Sequence, residues 1–333
     1  MRRFPHIAAG LSALIGLGWA AACGAPLAPV ITIDGSSTVY PLTEAVAEDF
    51  GRVHPGSRVT IGIAGTSGGL RRFCRGELAI ANASRPMTPA EVSACQGAGV
   101  AFLEIPVAHD GITVVVHPSN TWVDSLTIGD LRRLWQHEAE GRVRRWSQVR
   151  DGWPDREVHL FGAGVDSGTF DYFTGMVTGA PRDSRGDYTS SEDDNLLVQG
   201  VASDPGALGY LGFAYYEEHR QDLRAVAIRA HEDAPAVVPT RESIRTGAYR
   251  PLARPVFLYV STRAMVRPEV DAFLAHYLAR GASLAAAAGY VPLDDRVRAA
   301  VDARVAARVT GSVFASADGD LRPVALARLL GAE

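Results

Sequence analysis

The chain has no lysine: all 33 of its Lys and Arg positions are arginine, so every basic side chain is Arg or His. We read this as compositional bias and draw no function from it. No G-x-x-x-x-G-K-[ST] loop is present, which removes P-loop phosphate chemistry. Cysteine is scarce, 3 in 333 residues, and no histidine lies near Cys74 or Cys95 at ligand spacing, which argues against a zinc site. No cluster of Asp and His has the arrangement of a catalytic metal centre, so a metal-dependent phosphatase is unsupported. There is no block of like charge, and the formal net charge of -4 argues against nucleic acid, which wants a basic face. A small-anion site stays open, because local dipoles rather than net charge make one. Beyond the N-terminus no apolar run reaches the about 20 residues of a membrane-spanning helix. No internal repeat of fixed period is visible.

What is present begins with an export signal. Arg2 and Arg3 precede an apolar or small run from Ile7 to Trp19, and Ala20-Ala21-Ala22 leads to Cys23. The run is short for a spanning helix and reads as a signal segment. The small residues before Cys23 are similar to a lipoprotein cleavage box, with Ala20 where Leu is usual. Residues 1–23 are thus expected to be a lipoprotein signal segment with Cys23 lipidated, followed by a tether over residues 24–30. An ordinary signal peptide cut nearby is the alternative. Export leaves Cys74 and Cys95, which suggests a disulfide between two helices. Two buried free thiols are the other reading.

The remaining length suits about two domains. Apolar, strand-like runs alternate with helical patterns, which argues an α/β protein with parallel sheets. Strands are expected at Ile31–Ile33, Val59–Ile63, Leu78–Ala81, Phe102–Ile105, Ile112–Val116, Val158–Phe161, Ala207–Leu211, Ala225–Ile228 and Pro255–Val260. The stretch Val107-Ala108-His109-Asp110-Gly111 reads as a break between two of them. Thr88-Pro89-Ala90-Glu91 and Thr127-Ile128-Gly129-Asp130 read as helix-opening capping boxes. Arg142 to Arg150, interleaved with Trp146, reads as a solvated connector, because Asp151, Asp155 and Glu157 follow closely.

Three turns carry the chemistry: Asp34-Gly35-Ser36-Ser37-Thr38, Gly65-Thr66-Ser67-Gly68-Gly69 and Asp166-Ser167-Gly168-Thr169. Each follows a strand pattern and opens a helical one. Hydroxyls, bare backbone N–H groups and helix N-termini attract anions. In open α/β sheets such turns lie beyond the strand C-termini, where ligands bind. A fourth stretch, Asn82-Ala83-Ser84-Arg85-Pro86, adds the one basic residue in these loops, Arg85. These features predict a pocket for a small tetrahedral oxyanion. Asp166-Ser167-Gly168 also resembles a serine-protease nucleophile, with His109-Asp110 as imaginable partners. That fold is all-β, and this stretch lacks G-x-S-x-G, so neither protease nor esterase is supported.

The order and spacing of these motifs, continued by Asp166-Ser167-Gly168-Thr169-Phe170-Asp171-Tyr172-Phe173, Ser191-Glu192-Asp193-Asp194-Asn195 and Gly206-Ala207-Leu208-Gly209-Tyr210, resemble the phosphate-binding receptors of bacterial ABC importers, the PstS family. The resemblance covers nearly all of the mature chain. It implies an α/β, two-lobed periplasmic-binding-protein-like fold (type 2) with lobes joined by two hinge crossings. We expect lobe one over 31–112 with 258–333 and lobe two over 113–257. It further implies an exported, non-enzymatic, monomeric protein in the periplasm or on the outer face of the cell membrane. Its partners would be inorganic phosphate and the membrane permease subunits of an importer. A lipid would be its only membrane contact, and no cofactor or metal is expected.

Carried over position by position, the resemblance implies Ser37, Thr38, Thr66, Ser67, Ser84, Arg85, Ser167, Gly168 and Thr169 as phosphate ligands. Better-known members have Asp at the position of Arg85, accepting the phosphate proton, and Arg at the position of Ala163. Asp110 and Asp166 are therefore candidates for the displaced carboxylate. Asp166 has capping of the following helix as its plain alternative, and Glu192-Asp193-Asp194 reads as acids complementing a helix dipole. A receptor for sulfate, molybdate or arsenate, or a phosphate sensor or phosphatase-like secreted enzyme, is the runner-up.

Overall fold

The computed structural model describes residues 30–315, 326 and 328–331. The signal segment, Cys23 and the tether to residue 29 lie outside the described residues. Strand β1 (Val30–Gly35) runs parallel to β2 (Arg58–Ile61) and β3 (Ile80–Ala83). Helices α1 (Tyr40–Val53) and α2 (Gly65–Cys74) connect them, and α3 (Pro89–Gly97) follows. Leu42, Val46 and Phe50 of α1 recur at helical spacing and are fully buried, so this face holds the helix on the sheet. The Thr88 hydroxyl accepts from Glu91 N while the Glu91 carboxylate accepts from Thr88 N, the expected capping box. A disulfide joins Cys74 at the end of α2 to Cys95 in α3.

The expected break at 107–111 is absent. Phe102–Val116 is one continuous strand, β4. The second half of the molecule then adds β5 (Ser125–Thr127), α4 (Ile128–Trp135), β6 (His159–Ala163) and α5 (Gly168–Val177). It continues with β7 (Thr189–Ser191), α6 (Asp194–Ser203), β8 (Ala207–Gly212), α7 (Phe213–Glu218), β9 (Arg224–Ala225), β10 (Ala227–Arg229) and α8 (Arg241–Arg245). Strand β11 (Ala253–Ser261) returns to the first half. It is followed by α9 (Pro268–Ala287), β12 (Val291–Pro292) and α10 (Asp295–Ala306).

The reason β4 stays unbroken is β11. It pairs antiparallel along β4 from Ala253 opposite Gly111 to Ser261 opposite Phe102. At Ile112 the ladder changes partner, and Ile112–Val116 pairs with β8 instead. The resulting order is β2-β1-β3-β11-β4-β8-β6-β7. The sheet is mixed rather than parallel. One crossing strand leaves the first half and the other returns, so the two meet antiparallel.

Two main cores flank this junction. One gathers Ile31, Phe73, Ile80, Phe102, Leu258 and Phe273; the other gathers Ile112, Trp135, Phe173, Tyr210 and Leu252. Trp146 of the expected connector is fully buried, edge-on to Trp122 and Trp153, while Arg142, Arg144, Arg145 and Gln148 around it are exposed. No helix among the described residues is long and apolar enough to cross a membrane.

Candidate functional site

The three Ser/Thr turns converge where the two halves meet. Gly35 ends β1 with φ +136°, and Ser37–Val39 forms a single 3-10 turn before α1. Gly65 opens α2 with φ +72°, a region that favours glycine. A methyl group there would also stand 2.3 Å from the Asp166 carbonyl oxygen. Neither the 3-10 turn nor α2 has a side-chain cap, so their first-turn N–H groups are not consumed by one. The third turn is capped by Ser167, whose hydroxyl accepts from Thr169 N at 3.1 Å. The capping alternative for Asp166 is thereby corrected: Ser167 occupies the cap.

At the centre lie Thr38, Thr66, Ser84 and Thr169, all fully buried. Thr38 Oγ1 and Thr169 Oγ1, from opposite halves, are 2.9 Å apart. Thr66 Oγ1 accepts from Ser84 N at 3.1 Å and lies 3.2 Å from Ser84 Oγ. Gly168 faces this pair closely: a methyl on it would be 2.5 Å from Thr66 Oγ1 and 2.6 Å from Ser84 Oγ. Glycine is needed here for the close approach.

The guanidinium that meets these hydroxyls is Arg254 of β11, which sequence reasoning did not single out. Its Nη2 donates to Thr169 Oγ1 at 2.7 Å, to Asp110 Oδ2 at 3.2 Å and to Thr38 Oγ1 at 3.5 Å. Its Nη1 donates to the Gly168 carbonyl at 3.2 Å. The only signal in the sequence was an arginine at the head of the strongly apolar run Pro255–Val260; the fold makes it a buried strand residue, where a charge must be paired.

Arg85 is placed differently from expectation. A guanidinium has five N–H donors, and those of Arg85 all have protein partners. Nε donates to Asp171 Oδ2 at 2.9 Å, and Nη1 to the Pro86 carbonyl at 2.9 Å and Glu91 Oε2 at 2.8 Å. Nη2 donates to Ser67 Oγ and Glu91 Oε1, both at 2.9 Å. Burial pulls its pKa down, but Glu91 and Asp171 outweigh this and raise it, so the charge is held. Ser67 joins the same network, donating to Asp171 Oδ2 at 3.2 Å. Asp171, another residue the sequence reading did not mark, thus links β3's end to α5 across the two halves.

Of the carboxylate candidates, Asp166 sits at the rim. Its Oδ1 accepts from Arg71 Nη2 at 3.2 Å, and its backbone carbonyl accepts from Ser67 N at 3.1 Å. Asp110 lies inside, fully buried, paired with Arg254 and accepting from Phe213 N at 3.0 Å. Burial pushes the Asp110 pKa up, against the opposing pull of Arg254. Ser37 Oγ donates to Asp194 Oδ2 across the halves at 3.5 Å. In the acidic run, Asp193 caps α6, Glu192 accepts from Asp166 N, and Asp194 is buried. The described residues contain no group of three or more His, Cys, Asp or Glu side chains able to hold a metal.

This geometry offers hydroxyls, helix N-termini and one guanidinium to an anion enclosed between two halves. A family model described as a PBP superfamily domain matches residues 20–280. The chain is 44% identical over 286 residues to Protein SphX of Synechococcus elongatus, covering 86% of this chain and 84% of that one. It is 30% identical over 264 residues to the phosphate-binding protein PstS of Staphylococcus aureus, covering 79% of this chain and 78% of that one. Among solved structures it is similar to a possible phosphate binding protein from Planctomyces limnophilus. There the TM-score is 0.65 and the identity 40%, over 85% of this chain and 100% of that one.

Proposed function

We infer the function from the family: the chain belongs to the PBP superfamily and, within it, to the PstS-type phosphate-binding receptors. From that premise we propose that it captures inorganic phosphate between its lobes and delivers it to the membrane subunits of an ABC importer. It works outside the cytoplasm, lipid-anchored through Cys23, and performs no covalent chemistry. Phosphate is held by Thr38, Thr66, Ser84 and Thr169 with backbone N–H groups of the three helix starts, Gly168 allowing the lobes to close. Arg254 supplies the cation. Ser37, Ser67 and Ser167 shape the loops, and Arg85 acts on closure through Asp171. The lobes divide at Gly111/Ile112 and Leu252/Ala253, where β4 changes pairing partner and β11 begins.

The single observation that carries this reading is the meeting of Thr38, Thr169 and Arg254 from three different elements at one buried point. Calorimetric titration of the mature chain with phosphate, arsenate and sulfate tests it. Saturable phosphate binding that raises the melting temperature is expected, since ligand binds only the folded state. Absence of both would refute it. Phosphate release from a generic phosphoester would instead reveal an enzyme.

A further inference from the structure

The end of lobe one farthest from the cleft carries a basic groove. The cleft lies beyond Gly35, where β1 ends; the groove lies near the start of that strand, which runs for 6 residues, or about 20 Å. Its volume is about 710 Å3, and it is lined by Arg75 after α2, Ala98 and Gly99 after α3, and Arg263, Val266 and Arg267 after β11. Arg267 Nη2 donates to the Val30 carbonyl at 2.7 Å, so the chain arriving from Cys23 enters the fold at the edge of the groove. Arg58, which is exposed, is the register partner of Val30 on β2.

The charge at this end departs from that of the whole chain, whose formal net charge is -4. Arg75 Nε donates to Glu77 Oε1 at 2.6 Å, and Arg267 Nε to Glu269 Oε1 at 2.7 Å. Arg58 and Arg263 have no acidic partner among the described residues, which leaves the face locally positive. Helices α2 and α3 also end here, but the Arg72 and Cys95 carbonyls accept from Glu77 N and Val100 N, which satisfies their last turns. Val266, between Arg263 and Arg267, is 80% exposed, more than any other large hydrophobic side chain among the described residues. Single exposed apolar side chains are common. One flanked by arginines, beside the point where the chain enters the fold, is a different arrangement.

Building on the lipid anchor at Cys23 proposed above, we propose that this end of lobe one rests on the membrane. Its arginines take the phosphodiester groups of anionic lipids, and Val266 enters the interface. Residues 24–29, between Cys23 and Val30, let the two ends separate by at most about 25 Å, so the groove stays close to the bilayer. An acyl anchor and a basic patch reinforce one another on an anionic surface. The anchor holds the protein near the lipid, and the patch chooses which side of it faces the lipid. The cleft, at the other end of β1, stays clear of the membrane and open to arriving phosphate.

The test uses the lipidated chain in vesicles of phosphatidylcholine, or of phosphatidylcholine and phosphatidylglycerol in equal parts. A thiol-reactive fluorophore is placed on Val266→Cys, and on Val238→Cys, exposed in lobe two, as the control. In the phosphatidylglycerol vesicles, acrylamide quenching at position 266 should fall by at least about twofold, with quenching at position 238 unchanged. Arg58→Ser combined with Arg263→Ser should restore the quenching and leave phosphate affinity in solution as it was, since neither arginine lies in the cleft. Equal quenching at position 266 in the two kinds of vesicle would overturn the proposal: if low in both, the tether rather than lipid charge covers the groove. Shielding that survives the loss of both arginines would overturn it too. A chain that does not float with phosphatidylcholine vesicles refutes the anchor instead. The face is then read from the unanchored chain: flotation with the phosphatidylglycerol vesicles, weakened about fivefold per arginine removed, supports it, and no flotation overturns it.

Discussion

Removing Asp171 separates two jobs that an arginine in this cleft could have. Arg85 and Glu91 lie on the same lobe and stay bonded whether the lobes are open or closed, whereas Asp171 reaches Arg85 Nε from the other lobe at 2.9 Å. In Asp171→Ala the closed form loses that charged hydrogen bond and a second one from Ser67 Oγ at 3.2 Å; the pair of Asp171 Oδ1 with the half-exposed Arg182 Nη1 at 3.2 Å, within one lobe, goes too but is worth little. Loss of one hydrogen bond to a charged group is worth about 1.5–3 kcal/mol. Because the loss falls on the closed state, it should appear as about ten- to hundredfold weaker phosphate binding, mostly as faster release. The melting temperature without anion should change little by comparison. Glu91→Ala should do the reverse: it removes an intralobe partner from a mostly buried guanidinium and lowers the melting temperature with no anion present. Stopped-flow release and calorimetry on both variants read this out. Phosphate affinity in Asp171→Ala within about twofold of wild type would refute the latch.

Gly168→Ala should hold the lobes apart, since its methyl would press on the Thr66 and Ser84 hydroxyls. We expect phosphate binding to fall by at least about tenfold, with far-ultraviolet circular dichroism unchanged; undiminished affinity would contradict the packing. The Cys74–Cys95 bridge closes a 21-residue separation and should contribute about 2–4 kcal/mol, read as a lower denaturation midpoint for the Cys74→Ala, Cys95→Ala double variant. His109 is buried and its pKa is pushed down to about 4. The unfolded imidazole protonates near 6.5, so below that pH the unfolded state binds more protons. Stability should therefore fall on acidification from about 6.5 toward 4, by up to about 1.4 kcal/mol per unit. His109→Gln should flatten that segment of a urea-denaturation pH series, and an unchanged slope would count against it.

The loops that line the cleft were legible because their information is local. Gly35, Ser36 and Thr38, or Gly65 and Thr66, declare a turn and a helix start within five residues, and helix starts attract anions wherever they stand. The capping boxes at Thr88 and Thr127 were readable for the same reason. What was not legible depends on distant pairing. His109-Asp110-Gly111 looks like a break until β11 lies beside it. Arg254 looks like a strand-end charge until that pairing carries it to Asp110 and Thr169. Arg85 sat in the right loop, yet its role turned on Asp171 and Glu91, one in the other lobe and one a helix turn away. Local chemistry therefore marked the loops that converge between the halves, while the distribution of charge among them required the fold.

The most direct measurement is a crystal structure of the phosphate complex. The account predicts the anion between the lobes, within hydrogen-bond distance of Thr38, Thr66, Ser84 and Thr169, with Arg254 bonded to it and the Arg85–Asp171 pair intact. Phosphate bound instead by Arg85, with its bonds to Asp171 and Glu91 broken and Arg254 still turned to Asp110, would contradict it.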